Sequence, residues 1–119
     1  MILPEGLENI YNGAFSYSER LTSVKLPSTL KFLDVGAFGD CTGLTTINIP
    51  PKMKTHDTTA ANRQWPGPFY GCKNLKNVTL DNGMEEVPRG IFYAPSGDIG
   101  LEEIVIPDSV KWIGYSAFF

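Results

Sequence analysis

Metal-binding and redox-active residues are scarce in this chain. Its 119 residues include two cysteines and one histidine, fewer nitrogen and sulfur donors than the four ligands of a structural zinc site. A Gly-x-Ser-x-Gly motif, a paired carboxylate site and a phosphate-binding glycine loop are also missing. We therefore expect a protein that is not an enzyme and that needs no metal and no cofactor.

Positive charge and long apolar runs are equally limited. Ten Lys and Arg residues against 13 Asp and Glu residues give a net charge of −3, and the cations are scattered rather than gathered into the basic stripe that phosphate backbones require. No run reaches 18 apolar residues, and residues 1–5 do not resemble a signal peptide. The sequence therefore predicts no nucleic-acid partner, no membrane span and no signal peptide within this chain.

What the chain does contain is a repeat. Phe15 and Phe38 lie 23 residues apart, as do Phe69 and Phe92, and a framework of leucine, isoleucine and proline moves with them. The step from Phe38 to Phe69 is 31 residues, which eight inserted residues explain. A period in the twenties is typical of a solenoid.

Two insertions interrupt the framework without shifting its register. One lies near residues 54–65, and a shorter one of three extra residues lies within 94–100. Because a shift of the framework itself would bury polar groups, the insertions are predicted to bulge outward as surface loops.

Each repeat carries a segment of the form Leu-x-x-Val/Ile-x-Leu/Ile, at 21–26, 44–49, 75–80 and 101–106. The end of each segment alternates apolar and polar residues, which is strand periodicity, and proline or turn residues stop it. The segments are predicted to form a parallel β-sheet on one face, with short extended or 3-10 return segments on the other. The phenylalanines fill the space between, in a single domain of four to five repeats spanning 1–119.

Residues 21–44 read Leu-x-x-Val-x-Leu-Pro-x-x-Leu-x-x-Leu-x-x-Gly-Ala-Phe-x-x-Cys-x-x-Leu, which resembles the repeat of BspA-like leucine-rich repeat proteins. The resemblance covers the chain outside the two insertions, with Ser18 and Pro95 in place of the cysteine in two copies. It implies a leucine-rich-repeat solenoid and a non-catalytic protein-interaction or adhesion module of a cell-surface or secreted protein. A protein or glycoprotein ligand is expected. Because the sequence starts partway into a repeat and stops just after the fifth phenylalanine column, we expect a piece of a longer array or a mature region from which a targeting segment was removed.

Two surfaces are candidate binding sites. The long insertion combines hydroxyl and amide groups with an arginine and a tryptophan, residue types in which binding energy concentrates; its candidates are His56, Asp57, Asn62, Arg63 and Trp65. The alternative is that Trp65 covers the core. The strand face offers two polar rows, Ser23, Thr46, Asn77 and Glu103 in one, and Lys25, Asn48, Thr79 and Val105 in the other. Its alternative is a plain solvated sheet.

Three further hypotheses stay open at this point. The repeats could act as a structural spacer with no ligand, or as a carbohydrate-binding surface that uses Trp65, Tyr70 and Tyr93. Uncapped solenoid ends predict end-to-end association, through Ile2 and Leu3 at one edge and residues 117–119 at the other.

The two cysteines also allow two interpretations. Equivalent positions in adjacent coils lie about 4.8 Å apart, which is within the Cα range of a disulfide. The turn needs a small buried residue in each copy, however, and Ser18 fills that place in the first repeat. We therefore predict that Cys41 and Cys72 are free, inert thiols.

Overall fold

A computed structural model describes residues 1–55, 66–95 and 99–118. The five candidates in the long insertion, His56 to Trp65, lie outside the described residues, and so does the centre of the second insertion. Eight short strands and no helix are found within the described ranges. The strands are β1 (Asn9–Ile10), β2 (Ser23–Val24), β3 (Phe32–Leu33), β4 (Thr46–Ile49), β5 (Lys54–Thr55), β6 (Asn77–Leu80), β7 (Glu86–Val87) and β8 (Trp112–Ile113).

The predicted parallel sheet forms from three of its four segments. Strands β2, β4 and β6 pair in that order, all parallel, and the register places Ser23 opposite Thr46 and Thr46 opposite Asn77. The pairing follows the repeat, because equivalent residues of consecutive coils come to lie one strand spacing apart. The alternation also holds in β4, where Ile47 and Ile49 are buried and Thr46 is exposed.

The fourth predicted strand, at 101–106, is not formed. The Gly100 N–H still donates to the Cys72 carbonyl at 3.2 Å, but residues 101–106 pair with no strand of the described chain. This segment follows the three extra residues, and Pro95 occupies the cysteine position of its coil. Proline has no thiol to donate to the preceding coil, as Cys41 and Cys72 do, and no N–H to donate to the phenylalanine carbonyl of its own coil. Both contacts made by the cysteines are therefore missing here.

The return segments pair with one another, which the sequence prediction did not include. Strands β1, β3 and β5 form a second parallel sheet, and β7 pairs with β8. Strand β5 covers residues 54 and 55, so the first two residues of the predicted insertion loop belong to a strand instead. Near Ala37 the predicted 3-10 segment is a pair of hydrogen-bonded turns, with Ala37 N–H donating to Asp34 O at 3.2 Å and Gly39 N–H to Gly36 O at 2.8 Å.

The core is organised around a stack of phenylalanine rings. Five rings follow one another at centroid distances of 5.1, 5.7, 6.1 and 5.8 Å, with interplanar angles of 9° to 25°; they are Phe15, Phe38, Phe69, Phe92 and Phe118. The middle three rings are buried, and leucine, isoleucine and methionine side chains of the strands and return segments pack against them. Offset stacking at these distances adds about 0.5–1.5 kcal/mol per pair to the burial of each ring.

The cysteines hold consecutive coils together without a disulfide. Both are free and buried, and each thiol donates to the carbonyl of a core phenylalanine one coil earlier, Cys41 to Phe15 and Cys72 to Phe38, both at 3.1 Å. Burial raises the pKa of both thiols, that of Cys72 to about 12. The prediction of free thiols is confirmed, and both cysteines remain protonated at neutral pH.

Candidate binding surfaces

The first polar row of the strand face lies in register and open to solvent. Ser23, Thr46 and Asn77 are exposed and stand side by side on β2, β4 and β6. A parallel sheet places such residues one strand spacing apart, about 4.8 Å. The row therefore presents hydroxyl and amide groups in a regular line, suited to hydrogen-bonding an extended partner.

The second row is partly engaged within the fold. Asn48 Oδ1 accepts from the Leu26 N–H at 2.7 Å, while its Nδ2 donates to the Leu26 carbonyl at 3.0 Å and to Asp81 Oδ2 at 2.8 Å. Leu26 lies just before Pro27, beyond the end of β2. The Asn48 side-chain amide therefore replaces the strand hydrogen bonds that the backbone of Leu26 would otherwise make. Lys25 and Thr79 remain exposed on either side.

A groove separates the last member of each row, Glu103 or Val105, from the sheet. Its volume is about 340 Å³, and it is lined by Lys76, Asn77, Val78, Thr79, Glu103, Ile104 and Val105. Glu103 and Val105 therefore face the exposed edge of β6 instead of extending its rows, and Val105 is 84% exposed. The strand face as built is a three-strand platform bordered by this groove.

A second surface surrounds Tyr70, in the turn that follows the third phenylalanine. The Tyr70 ring lies against Gly36 and Gly39, where a Cβ would come within 2.9 and 2.6 Å of its Cε1 atom. Burial, followed by the charge of Asp40 and the nearby Tyr17, raises the pKa of the Tyr70 hydroxyl. Tyr70 is half-buried, so one of the proposed carbohydrate platforms is a packed ring with limited exposed area.

The last coil has a largely apolar end. A pocket of about 500 Å³ lies among Phe92, Ala94, Pro95, Ile99, Leu101, Glu102, Glu103, Ile104 and Phe118. Beside it Trp112, Ile113 and Tyr115 are exposed. At the other edge Ile2 is 80% exposed, although its backbone bridges to Lys25. Both edges named for end-to-end association therefore present apolar side chains.

The described residues offer few groups for bond-making chemistry. Within these ranges no three His, Cys, Asp or Glu side chains lie close enough together to hold a metal ion. The two thiols are protonated and buried. A search of the described segments for a helix long and apolar enough to cross a membrane found none. The surfaces above can form hydrogen bonds, ion pairs and aromatic contacts, which are the means of recognition.

Sequence reasoning overlooked Tyr17 and Asp40. Both adopt left-handed backbone conformations, with φ of 62° and 55°, two residues after a stacked phenylalanine. The equivalent residue of the third repeat is Gly71, with φ of 74°. Aligning the repeats shows that Tyr17 and Asp40 occupy a position where the third repeat has glycine. That alignment could have identified both residues from the sequence.

Comparison with known proteins agrees with this architecture. Residues 66–119 match the family model described as "BspA type Leucine rich repeat region (6 copies)", which confirms the resemblance over that part of the chain. Neither the search of curated proteins nor the search of solved structures found a match. Repeats of this family are generally non-catalytic, typically occur in surface or secreted proteins, and suggest a protein-interaction module.

Proposed function

We propose that this chain is a segment of a leucine-rich-repeat solenoid that binds a protein or glycoprotein ligand, as the adhesion module of a cell-surface or secreted protein. It performs no catalysis. The observation that carries the proposal is the exposed row of Ser23, Thr46 and Asn77, held in register by a sheet whose other face packs on the hydrophobic core.

The packing under this row supports a role in recognition. The strands beneath it are fixed by buried Leu44, Ile47 and Leu75, so the exposed groups are held on rigid elements and lose little conformational entropy on binding. The row carries no aromatic side chain, which favours a ligand that hydrogen-bonds along the strands over a stacked sugar ring. Solenoids commonly use such extended faces for binding.

The groove beside β6 and the long insertion extend this surface. Glu103 and Lys76 place opposite charges at the groove, and such polar rims steer orientation more than they add affinity. The insertion candidates His56, Asp57, Asn62, Arg63 and Trp65 follow directly after β5 in the chain and supply a second contact region in the proposal.

Self-association at the coil ends is a further part of the proposal. Ion pairs already join the return segments, with Lys31 to Glu8 at 3.1 Å and Lys111 to Glu85 at 4.0 Å. In a head-to-tail contact Lys111 would face the Glu8 of a second copy, and Phe118 would continue the ring stack. Concentration-dependent sedimentation should show assembly, weakened in Lys111→Glu; a monomer at every concentration would exclude it.

The binding test compares four forms on an array of matrix proteins, host-cell glycoproteins and glycans. These are the parent chain, Asn77→Arg, Asn12→Arg, and a deletion of residues 56–63 that spares β5. Asn12 is exposed in a turn outside the strand face, so it receives the same substitution as a control. Binding lost only in Asn77→Arg assigns the contact to the strand rows, and binding lost only in the deletion assigns it to the insertion. Absence of binding by the parent chain would favour a spacer role.

A further inference from the structure

An aromatic and acidic cluster lies in the turns that follow the stacked phenylalanines, away from the strand rows. Its members are Tyr17, Asp40 and Tyr70. Backbone hydrogen bonds hold their turns together, since Tyr17 N–H donates to Gly39 O and Asp40 N–H to Tyr70 O, each at 2.8 Å. Three consecutive repeats therefore contribute one side chain each to a single surface.

The Tyr70 hydroxyl lies close to both other side chains, since the charge of Asp40 and the neighbouring Tyr17 contribute to its raised pKa. The Asp40 carboxylate lies against Gly71, where a Cβ would overlap Oδ1. Glycines at 36 and 39 leave the space that the Tyr70 ring occupies. The glycines thus leave room for the Asp40 carboxylate beside Gly71 and for the Tyr70 ring beside Gly36 and Gly39.

The repeat turn sets the backbone of Tyr17. Its φ of 62° lies in the left-handed region, and Asp40 and Gly71 adopt the same conformation at the equivalent positions of the next two repeats. Glycine adopts this conformation more freely than tyrosine does. The Tyr17 side chain is 69% exposed, so the turn presents an aromatic ring to solvent. Asp40 shares the conformation but tolerates it better, because aspartate can hydrogen-bond locally.

We propose that Tyr17, Asp40 and Tyr70 form a recognition site for an arginine side chain of a protein partner. A guanidinium is planar, so it can stack on the exposed Tyr17 ring while its N–H groups donate to the Asp40 carboxylate. A lysine ammonium lacks the planar face, and an anionic group would be repelled. The inference rests on the proposed function only in that the partner is a protein.

The test is a titration of the isotope-labelled chain followed by amide NMR. The probes are two blocked tripeptides, Gly-Arg-Gly and the same peptide with citrulline, which has nearly the same shape but no charge. The arginine peptide should shift the amide signals of Tyr17, Asp40 and Gly71 in a saturable manner. The citrulline peptide should bind about three- to tenfold more weakly, as expected for losing an exposed cation–π contact and ion pair.

Variants separate recognition from a structural role. Asp40→Asn removes the charge while asparagine tolerates the left-handed backbone, and Tyr17→Ala removes the exposed ring. Each should weaken arginine-peptide binding, because each removes one of the two contacts that the guanidinium charge makes. Tyr11→Ala is the matched control, because Tyr11 is 67% exposed in the same repeat and should leave binding unchanged.

The inference is overturned by equal binding of the two peptides, by unchanged binding in Asp40→Asn, or by an equal loss in Tyr11→Ala. Array binding that depends on Asn77 while the arginine peptide fails to bind would refute this site alone. Loss of the proposed function would show instead as no array binding, whatever the peptide does.

Discussion

Truncating the central phenylalanine should destabilise the fold more than truncating one at the end of the stack. Phe38 is fully buried, with Phe15 at 5.1 Å on one side and Phe69 at 5.7 Å on the other. Phe38→Ala leaves a closed cavity and ends two stacking contacts, so the free energy of unfolding should fall by about 3–5 kcal/mol. A domain of ordinary stability has about 5–15 kcal/mol in total, so this variant should lose a large share of its stability.

Phe118 provides the comparison within the same stack. It is 39% exposed, and among the described residues it stacks on one ring, Phe92, at 5.8 Å. Its truncation opens a surface already in contact with water, so Phe118→Ala should cost only about 1–2 kcal/mol. Phe38→Leu, which keeps most of the volume, should also cost about 1.5 kcal/mol.

Urea denaturation followed by circular dichroism measures these differences. The urea midpoint of Phe38→Ala should be lower than that of Phe118→Ala, which in turn should be lower than that of the parent chain. The dependence of the free energy of unfolding on urea concentration should stay constant, because the surface area exposed on unfolding hardly changes. Equal losses of stability at the two positions would refute the reasoning, since they would mean that the burial of a ring within the stack does not determine how much it stabilises the fold.

Three other predictions follow from the packing. The cysteines should not react with a thiol reagent at pH 8 until the chain unfolds, and a native chain that reacts at once would contradict this prediction. The free energy of unfolding should also decline as the pH rises from about 9 toward 12. The folded pKa of Cys72 is raised from 9.0 to about 12, so only the unfolded chain loses that proton in this pH range. Gly43→Ala should cost several kcal/mol in a thermal melt, about 2 or more, because its Cβ would overlap the Glu19 carbonyl oxygen, whereas Gly6→Ala meets no neighbouring atom and should lose only about 1–2 kcal/mol for its φ of 100°. Asn48→Ala should lose about 1–3 kcal/mol in urea denaturation, because the backbone of Leu26 loses its partner; an unchanged urea midpoint would mean that Asn48 has no structural role and remains a candidate binding residue.

The sequence pattern predicts burial well and pairing less well. The framework spacing correctly places the phenylalanine stack, and the Leu-x-x-Ile-x-Ile pattern correctly places β4, because both reflect which side chains avoid water. The pattern at 101–106 is the same, yet no strand forms there, since pairing depends on whether the preceding chain positions the segment beside β6. Three extra residues and Pro95 change that position, and the local periodicity of the segment carries no information about it.

The candidate surfaces show the same division. The alternation in the strands identifies Ser23, Thr46 and Asn77 as exposed, and the register then brings them together. It also marks Asn48 as a surface residue, although its amide replaces the ladder partner that Leu26 lacks. The contact between Tyr17 and Tyr70 joins residues 53 positions apart, which only the stacking of the coils brings within reach.

Because the ring stack keeps its spacing across the long insertion, the junction between the second and third coils should tolerate inserted sequences. The step from Phe38 to Phe69 includes eight residues beyond the basic repeat, yet the ring separation is 5.7 Å, compared with 5.1 Å for the uninterrupted pair before it. Loop closure becomes only slowly more costly with length, at about 0.6 kcal/mol for each doubling. Peptide epitopes grafted between β5 and Pro66 should therefore be displayed on a scaffold whose core remains as it is now.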